Sequence, residues 1–124
     1  MTRLIALILC FVLLSSLPVS AHHALTAYNR NQQKTVEGVV KEFRFANPHT
    51  RIILLVAAED GKMNEWDFEG GSPRRLGTRG FDPKTIAKGD KVTVSYNPMR
   101  DGSIGGFFVG LTTADGKYYG QQAR

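Results

Sequence analysis

The most constraining stretch of this chain is residues 35–45, where the apolar positions change parity within one short extended run. Val36 and Val40 fall on one face, whereas Val39, Phe43 and Phe45 fall on the other. A strand alternates its side chains strictly, so a change of parity requires an extra residue or a sharp bend, predicted near Gly38 to Val40. A strand bent in this way can serve two faces of a small barrel.

The segments that follow fit such a sheet. Asn47-Pro48-His49 interrupts the ladder, because proline lacks a backbone donor and restricts the residue before it, so His49 is expected to emerge from a turn. Ile52-Ile53-Leu54-Leu55-Val56 shows no alternation and predicts a strand buried on both sides. Asp60-Gly61 is a tight hairpin signal of the type with positive φ at both turn residues. In residues 63–69, Trp66 and Phe68 point one way and the carboxylates Glu65, Asp67 and Glu69 the other.

Two helical starts follow, Ser72-Pro73 and Asp82-Pro83, each a capping residue before a proline; the second is expected to end at Gly89. Residues 91–96 alternate with Val92, Val94 and Tyr96 buried. A last long strand at 105–112 is expected to carry Phe107, Val109 and Leu111 inward, and Asp115-Gly116 turns into a short final strand. Three strands, a helical insert and two or three further strands predict an all-β fold. The order is that of a small five-stranded OB-like Greek-key barrel with the insert between strands 3 and 4, with a generic antiparallel roll or sandwich as the alternative.

Upstream of the barrel the chain has the three parts of a secretory signal peptide over residues 1–21: Arg3, an apolar core, and Val19-Ser20-Ala21 before the cut. Its apolar run is shorter than the roughly 20 residues that span a bilayer. The expected address is therefore periplasmic or secreted, with membrane contact only through the leader before cleavage. Residues 22–34 read as a polar arm pinned by Leu25 and Tyr28, and residues 35–120 as a single β-barrel domain. The one cysteine, Cys10, lies in the leader, so the processed domain has no disulfide, thiol nucleophile or thiolate ligand.

Ala21-His22-His23, Asn47-Pro48-His49, Trp66 with Phe68-Glu69, Gly71-Ser72-Pro73, Lys88-Gly89-Asp90, and Arg100-Asp101-Gly102 through Gly105-Gly106 together resemble the domain of unknown function 6152 family, small exported bacterial proteins. The resemblance implies export and a small β domain and brings no established activity. The chain departs from the family at Ala24, where a serine follows the histidine pair, and at Phe81, where a tryptophan follows Gly80.

The three histidines occupy two motifs, His22 and His23 at the processed terminus and His49 in its turn. An α-amine titrating near 8 and imidazoles near 6.5 release protons readily to a metal at neutral pH. An amine and ring nitrogen from His22, joined by His23 or His49, form an all-nitrogen set suited to Cu(II), then Ni(II), with Zn(II) also compatible. A cut one residue earlier leaves Ala-His-His, again a copper-binding arrangement. The bland alternative is a solvated, idle histidine pair and a His49 that only completes its turn.

Arg74, Arg75 and Arg79 form the most basic patch, able to hold a phosphate, a lipid headgroup or an acidic glycan, or simply to be a solvated face that pairs with the strand carboxylates. Trp66 could stack on a ligand or fill the core. No nucleophile elbow, phosphate-cradling glycine loop or His-Glu-x-x-His is present, which argues against an enzyme. The sequence thus predicts an exported binding module, with copper through His22, His23 and His49 as the sharper version. The rival is an envelope interaction protein using a barrel face and the basic insert on a protein, glycan or lipid partner. A mildly basic balance of +4 once Arg3 leaves with the leader, 15 basic against 11 acidic residues, and the exported address set nucleic acid aside as a partner.

Overall fold

The computed structural model describes residues 26–121, so the leader, His22, His23 and Leu25 lie outside the described residues. Six strands and one short helix follow in the order β1 (Lys34–Arg44), β2 (Arg51–Ala57), β3 (Met63–Glu69), α1 (Pro73–Gly77), β4 (Lys91–Pro98), β5 (Gly106–Thr113) and β6 (Tyr118–Gly120). The sheet order is β3-β2-β1-β4-β5-β6, and a further parallel pairing of β3 with β5 closes the first five strands into a barrel. This is the predicted OB-like Greek-key barrel, with β6 added to the outside edge of β5.

β1 makes the closure possible. Its first half pairs with β4, from Lys34 opposite Tyr96 to Val39 opposite Lys91. Its second half pairs with β2, from Val39 opposite Leu55 to Arg44 opposite Arg51. Gly38 sits at the bend, where an added Cβ would lie 2.8 Å from the Leu55 carbonyl oxygen. The register slips between Val40 and Glu42, leaving Lys41 as the extra residue. The bulge lies slightly beyond the predicted Gly38 to Val40, and it brings Phe43 and Phe45 back to pack on the same core as Val36 and Val40.

Phe68, Phe108, Ile52, Leu54, Leu111, Val40 of β1 and Val92 and Val94 of β4 fill the barrel, and Leu76 of α1 with Phe81 and Ile86 enters the same core. Phe81 packs against Phe108 and Tyr119 at centroid distances of 6.0 and 5.6 Å.

Four local expectations are corrected. β2 is buried on one face only: Ile52 and Leu54 are inaccessible, while Ile53 and Leu55 are half-covered. Residues 82–90 form turns in place of a second helix: Asp82 Oδ1 accepts from the Lys84 N–H at 2.6 Å, and Gly89 and Asp90 hydrogen-bond across to Val40. With Ile86 the one buried residue among them, an amphipathic stripe has nothing to build on. In β5, Phe108 is buried while Phe107 and Val109 are half-covered. Ser95 pairs with Gly110 and Tyr96 with Phe108, so Val109 is a bulge residue and the parity inverts across it. Finally, the Asp60-Gly61 hairpin is a three-residue loop with positive φ at Gly61 and not at Asp60.

Candidate functional site

One end of the barrel is framed by two loops, residues 45–50 between β1 and β2 and residues 99–105 between β4 and β5. Between them opens a cleft of about 590 Å³ whose polar wall is Tyr28, Arg44, His49, Arg51, Asp67 and Glu69. The ladder between β2 and β3 runs on past both strand ends: the Thr50 N–H donates to the Gly71 carbonyl at 3.0 Å and the Gly70 N–H to the Thr50 carbonyl at 2.8 Å. Glycine is required at 70, where a Cβ would lie 2.1 Å from the Phe108 ring. This extension, after the cis Asn47-Pro48 bond, holds His49 against the end of β3.

The His49 ring nitrogen Nδ1 lies 3.2 Å from the Gly70 carbonyl and 3.0 Å from Glu69 Oε1. Both neighbours are acceptors, so Nδ1 carries the proton and, in the neutral ring, the lone pair belongs to Nε2. The other oxygen of Glu69 accepts the Tyr28 hydroxyl at 2.8 Å. Burial, and then the Glu69 carboxylate, push the Tyr28 phenol well above its usual range. Tyr28 itself is fixed by the chain around it. Its bridge to Met99, the Asn29 N–H on the Pro98 carbonyl at 2.8 Å and the Arg100 N–H on the Ala27 carbonyl at 2.9 Å tie the arm to the 99–105 loop. The Tyr28 ring also tilts on Phe107 at 5.5 Å.

Of the remaining polar groups, Arg51 grips the Asp67 carboxylate with two donors, Nε at 2.7 Å and Nη2. Asp67 thereby raises the Arg51 guanidinium further above its ordinary value. Thr50 is wholly inaccessible and its hydroxyl has no hydrogen-bond partner among the described residues.

On the other side of the 99–105 loop lies a smaller cleft of about 340 Å³, lined by Asn29, Gln32, Lys34, Trp66, Tyr96 and Arg100. Met99, Ser103 and Ile104 belong to the walls of both clefts.

The predicted site residues therefore separate. His49 stands in the larger cleft and Trp66 in the smaller one, edge-on to Tyr96 at 6.0 Å and 84°. Arg74 and Arg75 are exposed on α1, Arg79 donates to the Gln121 side chain at 3.2 Å, and none of the three lines either cleft. The strand carboxylates do not pair with them: Glu65 pairs with Lys41, Asp67 with Arg51, and Glu69 with Tyr28 and His49. Among the described residues no three of His, Asp and Glu form a metal-holding group. Tyr28 and Glu69 acquire their roles only when the arm folds back. The signal in the sequence was an aromatic residue alone in a polar segment.

The chain belongs to the family of unknown function DUF6152, whose sequence model matches residues 10–108. No curated protein matches it. Among solved structures, a crystal form of the mitochondrial single-stranded DNA binding protein from S. cerevisiae aligns with a TM-score of 0.51 at 12% identity, covering 67% of this chain and 93% of that one. Another form of the same protein aligns at 0.50 and 9% identity, covering 74% and 98%. The small single-stranded DNA-binding protein from Streptomyces coelicolor aligns at 0.45 and 22% identity, covering 66% and 90%.

At these identities the likeness is one of fold, and it identifies the barrel as an OB-fold. It also corrects the exclusion of nucleic acid. The yeast structures are single-stranded DNA binding proteins on this same fold. Such barrels hold a strand through a local groove and stacking rings, so a modest overall charge and a compartment poor in duplex are no grounds for exclusion.

Proposed function

We propose that the protein is an exported binding module that holds Cu(II) between its processed amino terminus and His49. The observation that carries this reading is the orientation of the His49 ring. A metal-bound histidine commonly donates its other ring N–H to a carboxylate or a carbonyl, which fixes the tautomer and raises the basicity of the ligating nitrogen. His49 has both acceptors on Nδ1, which leaves Nε2 to bind. The anchoring of Tyr28 supports the second half of the site. His23 lies five residues upstream, a tether that reaches at most about 17 Å, and Tyr28 shares its carboxylate with His49. Amine and imidazole nitrogens without thiolate suit Cu(II), with Ni(II) and Zn(II) as weaker competitors. The leader in the sequence supports an extracytoplasmic address, where processing would free the His22 amine.

The test is a Cu(II) titration of processed, untagged protein, with intact mass establishing that it begins at His22. The expected result is one equivalent bound, with affinity falling about tenfold or more in His49→Ala and further in His22→Ala. Unchanged affinity in His22→Ala would overturn the reading. A second reading, favoured by the fold shared with single-stranded DNA binding proteins, is a strand or its units held at the same end of the barrel.

A further inference from the structure

From the smaller cleft we infer a second binding site, for an anion joined to a planar ring, of which a nucleotide is the simplest example. It is independent of the copper site and gives the second reading a definite place and chemistry. Three observations carry it. First, the wall contains two cations, Lys34 and Arg100, and no Asp or Glu. Neither side chain has an ion-pair partner among the described residues, although Lys41, Arg51, Lys62 and Lys91 do. The carboxylate next in sequence, Asp101, is occupied by Ser103, whose N–H and hydroxyl donate to Oδ1 at 2.9 and 2.6 Å; that contact holds its carboxyl below the usual range.

Second, the Trp66 indole packs on the core yet keeps part of its surface uncovered, while Phe68 beside it is buried completely. Its uncovered part lies in this cleft, backed by Tyr96 and Phe68 at 6.0 and 6.2 Å, so the ring is held firmly while open to a partner. Third, the cleft edge supplies neutral donors and acceptors from Asn29 and Gln32. Gln32 is fixed there by its carbonyl, which accepts from the Asn97 side chain at 2.7 Å. A planar ring against the indole with its phosphate between Lys34 and Arg100 would satisfy each group: stacking for the ring, charge-assisted hydrogen bonds for the anion, and amides for the ring edge.

Trp66 is the sole tryptophan, so its fluorescence reports on this cleft alone. Processed protein in excess EDTA, which removes the copper reading from the experiment, is titrated with adenosine 5′-monophosphate, inorganic phosphate and an eight-residue oligothymidylate. The expected result is saturable quenching by the nucleotide that weakens as salt rises, and little quenching by phosphate. The Lys34→Ala/Arg100→Ala variant should bind about tenfold more weakly or worse while keeping the wild-type Tm, since both side chains are exposed. Tighter binding by the oligonucleotide assigns the site to a strand, and equal binding assigns it to free nucleotides. Absence of quenching by either ligand, or equal affinity in the double variant, overturns the proposal.

Discussion

The two clefts share one wall, the 99–105 loop, and differ in how their charges are used. In the larger cleft each carboxylate is engaged within the protein, Asp67 by Arg51 and Glu69 by Tyr28 and His49. In the smaller cleft the cations have no acidic neighbours in the wall. On the proposed copper reading, the cleft whose carboxylate orients a histidine takes a positive guest; on the proposed nucleotide reading, the cleft with unpaired cations beside an indole takes a negative one. A single loop thus divides the end of an OB barrel into two compartments with differently arranged charges, a division that net charge alone does not express.

The comparison breaks most completely if the shared wall fails. Gly105 has φ +98, and a Cβ there would lie 2.2 Å from the Asp67 carbonyl oxygen. Gly105→Val is expected to cost about 2–4 kcal/mol in urea unfolding and to abolish both copper binding and nucleotide quenching. A variant that kept either function would show that the clefts do not depend on the loop in common.

Tyr28→Phe acts on the larger cleft and should leave the smaller one intact. Loss of a hydrogen bond to a carboxylate predicts about 1.5–3 kcal/mol of destabilisation. The pH dependence follows from the direction of the shift. The folded protein holds the phenolic proton more tightly than the unfolded chain, so the contribution is full below about pH 10 and declines as pH rises beyond it. Urea midpoints measured between pH 8 and 11 should fall at the alkaline end in the wild type and stay flatter in Tyr28→Phe. The smallest effect belongs to Arg51→Met. The Arg51–Asp67 pair is exposed on both sides, so its removal should change stability by less than about 1 kcal/mol. Its informative readout is copper affinity, expected to rise modestly as Asp67 is released.

Much of the barrel could be read from alternation. β3 and β4 place Phe68, Val92, Val94 and Tyr96 as their period requires, and the bulge in β1 was visible because valines and phenylalanines stand on either side of it in opposite parity. The bulge at Val109 was not visible, since Phe107-Phe108-Val109 offers apolar side chains in both parities and only the partner strand decides which go in. Residues 82–90 misled because a capping Asp-Pro pair serves a turn as well as a helix. At the site, His49 was legible from its turn. Glu69 looked like any outward carboxylate, because its partner Tyr28 lies 41 positions away, on an arm without periodicity.

The closure of β3 on β5 has a further consequence, for timing. Phe68 opposite Gly106 and Glu69 opposite Phe107 are the only rungs of that pairing, and they join segments distant along the chain. Two rungs are fewer than hold any other pairing of the five barrel strands, so the seam stands only once the longer pairings on either side of it are in place. Both clefts draw walls from either side of this seam, so neither exists in a half-assembled chain. A ligand of either cleft therefore selects finished molecules, and its concentration sets by mass action how firmly the seam stays shut.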